Sequence, residues 1–116
     1  MKEVRILSLL ATLFLLSACG NKEGAAASAT NMHAAFQKTE SHVREFAEQG
    51  VEAEAKSDYS TAFRHYRALS LNPDLTQDQR NVANDSMLKM NAKLREAADK
   101  GDKEAKQMIE DYRATK

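Results

Sequence analysis

Apolar residues recur from residue 32 onward at spacings that alternate between four and three, which places them along one face of an α-helix. Met32, Phe36, Thr39, Val43, Phe46, Gly50 and Ala53 form the first such stripe. Lys38, Glu40, Arg44, Glu45, Glu48, Glu52, Glu54 and Lys56 fall on its other faces. The pattern predicts one long helix over residues 32–56, with Thr30 or Asn31 as its N-cap. Gly50 costs about 1 kcal/mol relative to Ala inside a helix, and marks either a bend or the close approach of a neighbouring helix. Ser57-Asp58 then reads as a turn and cap leading into a short helix over residues 59–71. The inward face of that helix is Ala62, Phe63, Tyr66 and Leu69. Asn72-Pro73 stops it, because the residue before a proline is pushed out of helical geometry.

The next start signal is the clearest in the chain. Thr76 followed by Gln79 matches a capping box, in which each side chain serves the other residue's backbone N–H. A long helix should follow to about Lys100, with Ala83, Met87, Met90, Leu94 and Ala97 along one face. Lys100-Gly101 supplies a positive charge and a glycine at the C-terminal end. Asp102 caps a final short helix whose face is Ala105, Met108, Ile109 and Tyr112. The fold class is all-α: two antiparallel helix hairpins, each a long helix followed by a short one, within residues 32–116. The short connections between the helices are what imply the antiparallel folding.

The N-terminal residues follow a different pattern. Lys2 and Arg5 precede an apolar run from Ile6 to Leu16, interrupted only by Ser8 and Thr12, and closed by the small residues Ser17 and Ala18. A basic start, apolar middle and small-residue end is the form of a secretory signal. The run is shorter than the roughly 20 residues needed to cross a bilayer as a helix. Cleavage after Ala18 by an ordinary signal peptidase puts bulky Leu16 where a small residue is wanted, whereas cleavage after Cys19 puts Ser17 there. Leu16-Ser17-Ala18-Cys19 resembles the lipobox of bacterial lipoproteins. The resemblance implies removal of residues 1–18, a diacylglycerol on the Cys19 sulfur and an acylated Cys19 amine. It implies an exported protein held on a membrane by covalent lipid. Gly20 after the cysteine implies the outer membrane, facing the periplasm, in a host with two membranes. Residues 19–31 then read as the lipidated cysteine and a flexible tether without large apolar side chains. The tether is the preferred reading; the alternative is that Ala25 to Ala29 extend the first helix backwards, since Ala is the best helix former.

Composition narrows the partners. The 116 residues carry 17 basic and 17 acidic side chains. Removing residues 1–18 takes Lys2, Arg5 and Glu3 and leaves 15 against 16. Such a chain lacks the basic footprint of a nucleic-acid binder. After Cys19, 17 apolar residues are Ala and only 19 are larger, so a body this small buries little surface and leans on self-association or a partner.

The stretch from Asp58 to Pro73 resembles the second half of a tetratricopeptide repeat. Ala62, Tyr66, Ala68, Leu69 and Pro73 sit close to that family's positions, with one residue missing between Tyr66 and Ala68. Ala97-Ala98-Asp99-Lys100-Gly101-Asp102-Lys103-Glu104-Ala105 is similar to the junction of Sel1-like repeats. Both resemblances imply helix-hairpin packing and a surface that binds peptides or proteins. The ending Tyr112-Arg113-Ala114-Thr115-Lys116 is similar to the tail of the major murein lipoprotein, which implies attachment of a terminal lysine to peptidoglycan.

No constellation points to catalysis, a metal or a cofactor beyond the covalent lipid. His33, His42 and His65 share no metal-ligand spacing, and the carboxylates are expected on solvated helix faces. No glycine-rich phosphate loop or nucleophile elbow occurs. Met87, Leu88, Met90 and Met108 either pack in the core or form an adaptable groove. The aromatic face Tyr59, Phe63 and Tyr66 is the candidate partner surface, if the body is too small to bury it. The expected function is therefore that of a non-enzymatic, membrane-anchored interaction module for another envelope protein. The alternative is a self-associating structural lipoprotein linking membrane and cell wall. No small-molecule substrate is implied.

Overall fold

A computed structural model describes residues 19–116, with side chains from residue 28 onward, so the signal-like segment lies outside the described residues. Every regular element among them is an α-helix: α1 (Cys19–Phe36), α2 (Ser41–Ala55), α3 (Tyr59–Ser70), α4 (Gln77–Asp99) and α5 (Lys103–Ala114). The apolar stripes meet in one core built around Tyr66, Phe63 and Leu69 of α3 and Met87, Met90 and Leu94 of α4. Helix α3 lies between α2 and α4, α5 covers α4 and the edge of α3, and α1 lies against α2 and α4.

Two expectations are corrected at the N-terminal side. The single helix predicted over residues 32–56 is interrupted at residues 37–40, which separate α1 from α2. Residues 20–31, read as a tether, lie within α1, so the alanine-rich segment takes its helix-forming option. Ser28, Met32 and Phe36 of α1 are buried at 0%, 1% and 1% exposure. A long-range contact meets the break. The Gln79 side-chain amide, at the start of α4, donates to the free Ala35 carbonyl at 3.0 Å and to Thr39 Oγ1 at 2.8 Å. It thereby satisfies one of the carbonyls that a helix C-terminus leaves without a partner. Glu40 begins α2 with no side-chain cap of its own.

The turns that follow α2 and α4 are two copies of one device. After α2, the Asp58 N–H reaches the Ala53 carbonyl at 2.8 Å and the Ser57 N–H the Glu54 carbonyl at 2.9 Å. After α4, the Asp102 N–H reaches the Ala97 carbonyl and the Gly101 N–H the Ala98 carbonyl, both at 3.0 Å. Each pair is a Schellman motif, which needs a left-handed residue just past the helix. Ser57 (φ 60°) and Gly101 (φ 98°) take that conformation. Asp58 then accepts from the Thr61 N–H and Asp102 from the Ala105 N–H, capping α3 and α5. Even the surface pairs match, Glu52 with Lys56 and Glu96 with Lys100. The chain thus repeats Glu-Ala-x-x-Lys, a left-handed residue and a capping Asp, with the second copy 44 positions on.

Helix α4 opens with the predicted capping box. The Gln79 N–H donates to Thr76 Oγ1 at 3.2 Å and the Thr76 N–H donates to Gln79 Oε1 at 3.0 Å. The connection from α3 is closed by Arg80, whose guanidinium donates to the Asn72, Pro73 and Leu75 carbonyls.

Candidate functional site

Gly50 fixes how α2 and α3 approach. A Cβ built there would lie 2.9 Å from Tyr66 Cε1, closer than side chains pack, and 3.0 Å from His65 Cβ, tighter than nearly all such contacts. The close approach of a neighbouring helix is thus the role of this glycine. One turn further along α2, the Tyr66 hydroxyl donates to Glu54 Oε1 at 2.8 Å, with both side chains inside the molecule. Glu54, expected on a solvated face, is 6% exposed. Its inward turn is explained by the tyrosine hydroxyl, which would otherwise be a buried donor without a partner. Burial pushes the Glu54 carboxyl above the usual carboxylate range, opposed by the Tyr66 bond and by Lys89 and Lys93 on α4. Burial raises the Tyr66 phenol as well, and the Glu54 carboxylate adds to that. Ser28 of α1 is buried as well, and its hydroxyl has no hydrogen-bond partner among the described residues. The pair fixes α2 on α3.

The aromatic face proposed as a partner surface is mostly core. Phe63 and Tyr66 are 2% and 0% exposed, Tyr66 lying against Gly50 and Glu54 of the preceding helix α2. Phe63 meets Tyr112 of α5 edge-on at 5.2 Å between ring centres. Tyr59 alone of the three is half-buried. Met87 and Met90 are buried, Met108 is half-buried, and Leu88 is exposed. Cys19 is the first residue of α1, and its side chain lies outside the described ones.

The histidines occupy separate places. His65 stacks on Phe46 at 4.3 Å, and its Nδ1 lies 2.9 Å from the Thr61 carbonyl. His42 is exposed beside Glu40. His33 lines an open groove of about 430 Å³ between α1 and α2, with Met32, Phe36, Arg44, Glu48 and Val51. Among the described residues no cluster of His, Cys, Asp and Glu could hold a metal ion, and no helix is long and apolar enough to cross a membrane.

A feature that spacing did not single out is the outer edge of α3. Leu71 is 68% exposed, the most exposed large apolar side chain among the described residues. It borders a groove of about 270 Å³ between α3 and α5. Leu71 was legible only as the last residue of its helix, one position outside the inward stripe. Compared with protein-family models, with curated proteins and with solved structures, the chain gives no match.

Proposed function

We propose that the chain is a bacterial envelope lipoprotein whose helical body is a non-enzymatic module for binding another envelope protein. The observation that carries the anchoring is Leu16-Ser17-Ala18-Cys19 at the end of a basic-then-apolar segment. Processing leaves Cys19 as the first residue, carrying diacylglycerol on its sulfur and an acyl group on its amine. One acyl chain gives only marginal attachment and a second makes it stable, so the lipid holds the protein without help from the helices. In a host with two membranes, Gly20 directs the protein to the outer membrane, facing the periplasm.

The helical part of the reading takes α2 with α3 and α4 with α5 as two antiparallel hairpins, and the repeated turn geometry supports it. The apolar stripes of these helices are used within one chain, which favours a module contacting a different protein over self-association through a shared apolar face. The test is Cys19→Ser in the full chain. Acyl labelling should disappear, with the signal retained or the product released from the membrane. Unchanged membrane attachment and processing would overturn the anchoring.

A further inference from the structure

We propose that the groove between α3 and α5 is the docking surface of this module, and that its occupant is an acidic segment of a partner protein carrying one large apolar side chain. The proposal rests on the interaction-module reading above and names its partner's chemistry. The groove is lined by Phe63, Arg64, Arg67 and Ala68 of α3, Leu71 just past its end, and Met108 of α5. Phe63, Ala68, Leu71 and Met108 are its apolar lining, and Leu71 is 68% exposed. The gain from covering an apolar side chain grows with the area removed from water, so this position is where an incoming apolar side chain gains most.

Charge selects the partner. The lining includes two arginines and no carboxylate. Arg64 is exposed and makes no hydrogen bond or ion pair among the described residues. Arg67 is held ready by neutral groups only. Its Nη2 donates to Thr115 Oγ1 at 2.9 Å, and its guanidinium lies 5.3 Å from the centre of the Tyr112 ring. Lys116 adds a third cation, 4.8 Å from the same ring centre. A guanidinium fork matches a carboxylate through two parallel hydrogen bonds. A segment with carboxylates flanking an apolar residue therefore satisfies both the apolar lining and the unneutralised cations. The groove between α1 and α2 lacks this selectivity, because Arg44 and Glu48 face it together.

The test is photo-crosslinking in cells that produce the full chain, with p-benzoylphenylalanine placed at Leu71 in one variant and at Leu88 on α4 in another. The expected result is one heterologous product from position 71. Its linked segment should hold at least two Asp or Glu within about five residues of the crosslink. Adding Arg64→Glu, at an exposed residue without partners, should cut the yield at least about tenfold while leaving chain abundance and acyl labelling unchanged. A linked segment without carboxylates, a yield indifferent to Arg64→Glu, or a second copy of this chain as the product would overturn the proposal. A heterologous product from position 88 with none from 71 would sink the groove and leave the interaction module standing. Silence at both positions, with acyl labelling intact, would bring down both.

Discussion

The hydroxyl of Tyr66 donates to the carboxylate of Glu54 at 2.8 Å inside the molecule, joining α3 to α2 one turn beyond the point where Gly50 lets the helices touch. This bond places a raised carboxyl in the interior. Between the ordinary value of 4.5 and the raised one, the folded chain binds more protons here than the unfolded chain. The stabilising contribution is therefore complete below 4.5 and is lost as pH rises through the folded-state value. Glu54→Gln keeps an acceptor for the hydroxyl and removes the charge. Its stability relative to wild type should be near zero at acid pH and become favourable toward pH 7, measured by urea denaturation across that range. A relative stability that falls with rising pH would contradict this account.

Removing the donor has the opposite signature. Tyr66→Phe leaves a buried carboxylate without its hydrogen bond, a loss of about 1–3 kcal/mol. The loss should be larger at pH 7 than at acid pH, where the carboxyl is neutral.

Gly50→Ala sets two effects against each other. Helix propensity favours Ala by about 1 kcal/mol, while overpacking a close contact costs typically about 1–3 kcal/mol. The contact is with Tyr66, whose ring is buried and tied to Glu54, so it yields poorly. A net loss of stability is expected in thermal unfolding, and a stabilised variant would mean that α3 can shift.

The two Schellman turns make a paired prediction. Ser57 holds a left-handed conformation that disfavours side chains, and Gly101 holds the same conformation without that cost. Ser57→Gly should stabilise the fold by up to about 1 kcal/mol and Gly101→Ala should destabilise it by a similar amount. No atom lies within 4 Å of a Cβ at Gly101, so any loss there is conformational and not steric. Equal denaturation midpoints for both variants would argue against this reading of the turns.

Gln79 joins the start of α4 to the end of α1 while completing its own capping box. Gln79→Ala should cost about 2 kcal/mol, as three hydrogen bonds of roughly 0.5–1.5 kcal/mol each are lost. The effect should be concentrated in faster amide exchange around residues 36–44. Uniform acceleration over the whole chain would mean that the α1–α2 break does not depend on this side chain.

Features settled within a few residues were legible in the sequence. The capping box at Thr76 and Gln79, the caps at Asp58 and Asp102, the stop at Asn72-Pro73 and the left-handed Gly101 each act on the backbone of their own turn. Their presence placed α3, α4 and α5 to within a residue or two. Helical spacing likewise identified Met87, Met90, Leu94 and Ile109 as inward. Features that depend on distant partners emerged only once the helices packed together. The alternation of four and three runs unbroken from Phe36 through Thr39 to Val43, so no local signal marked the break that Gln79 stabilises from 44 residues beyond Ala35. Glu54 looked like one more surface carboxylate until Tyr66 gave it a donor. Phe63 and Tyr66 could have formed a surface, but Tyr112 of α5 meets Phe63, and Gly50 and Glu54 of α2 meet Tyr66. Burial belongs to pairs of elements, and one helix's pattern shows which face is apolar without showing what covers it. That left Leu71, beyond the inward stripe, as the apolar side chain that the folded body exposes most.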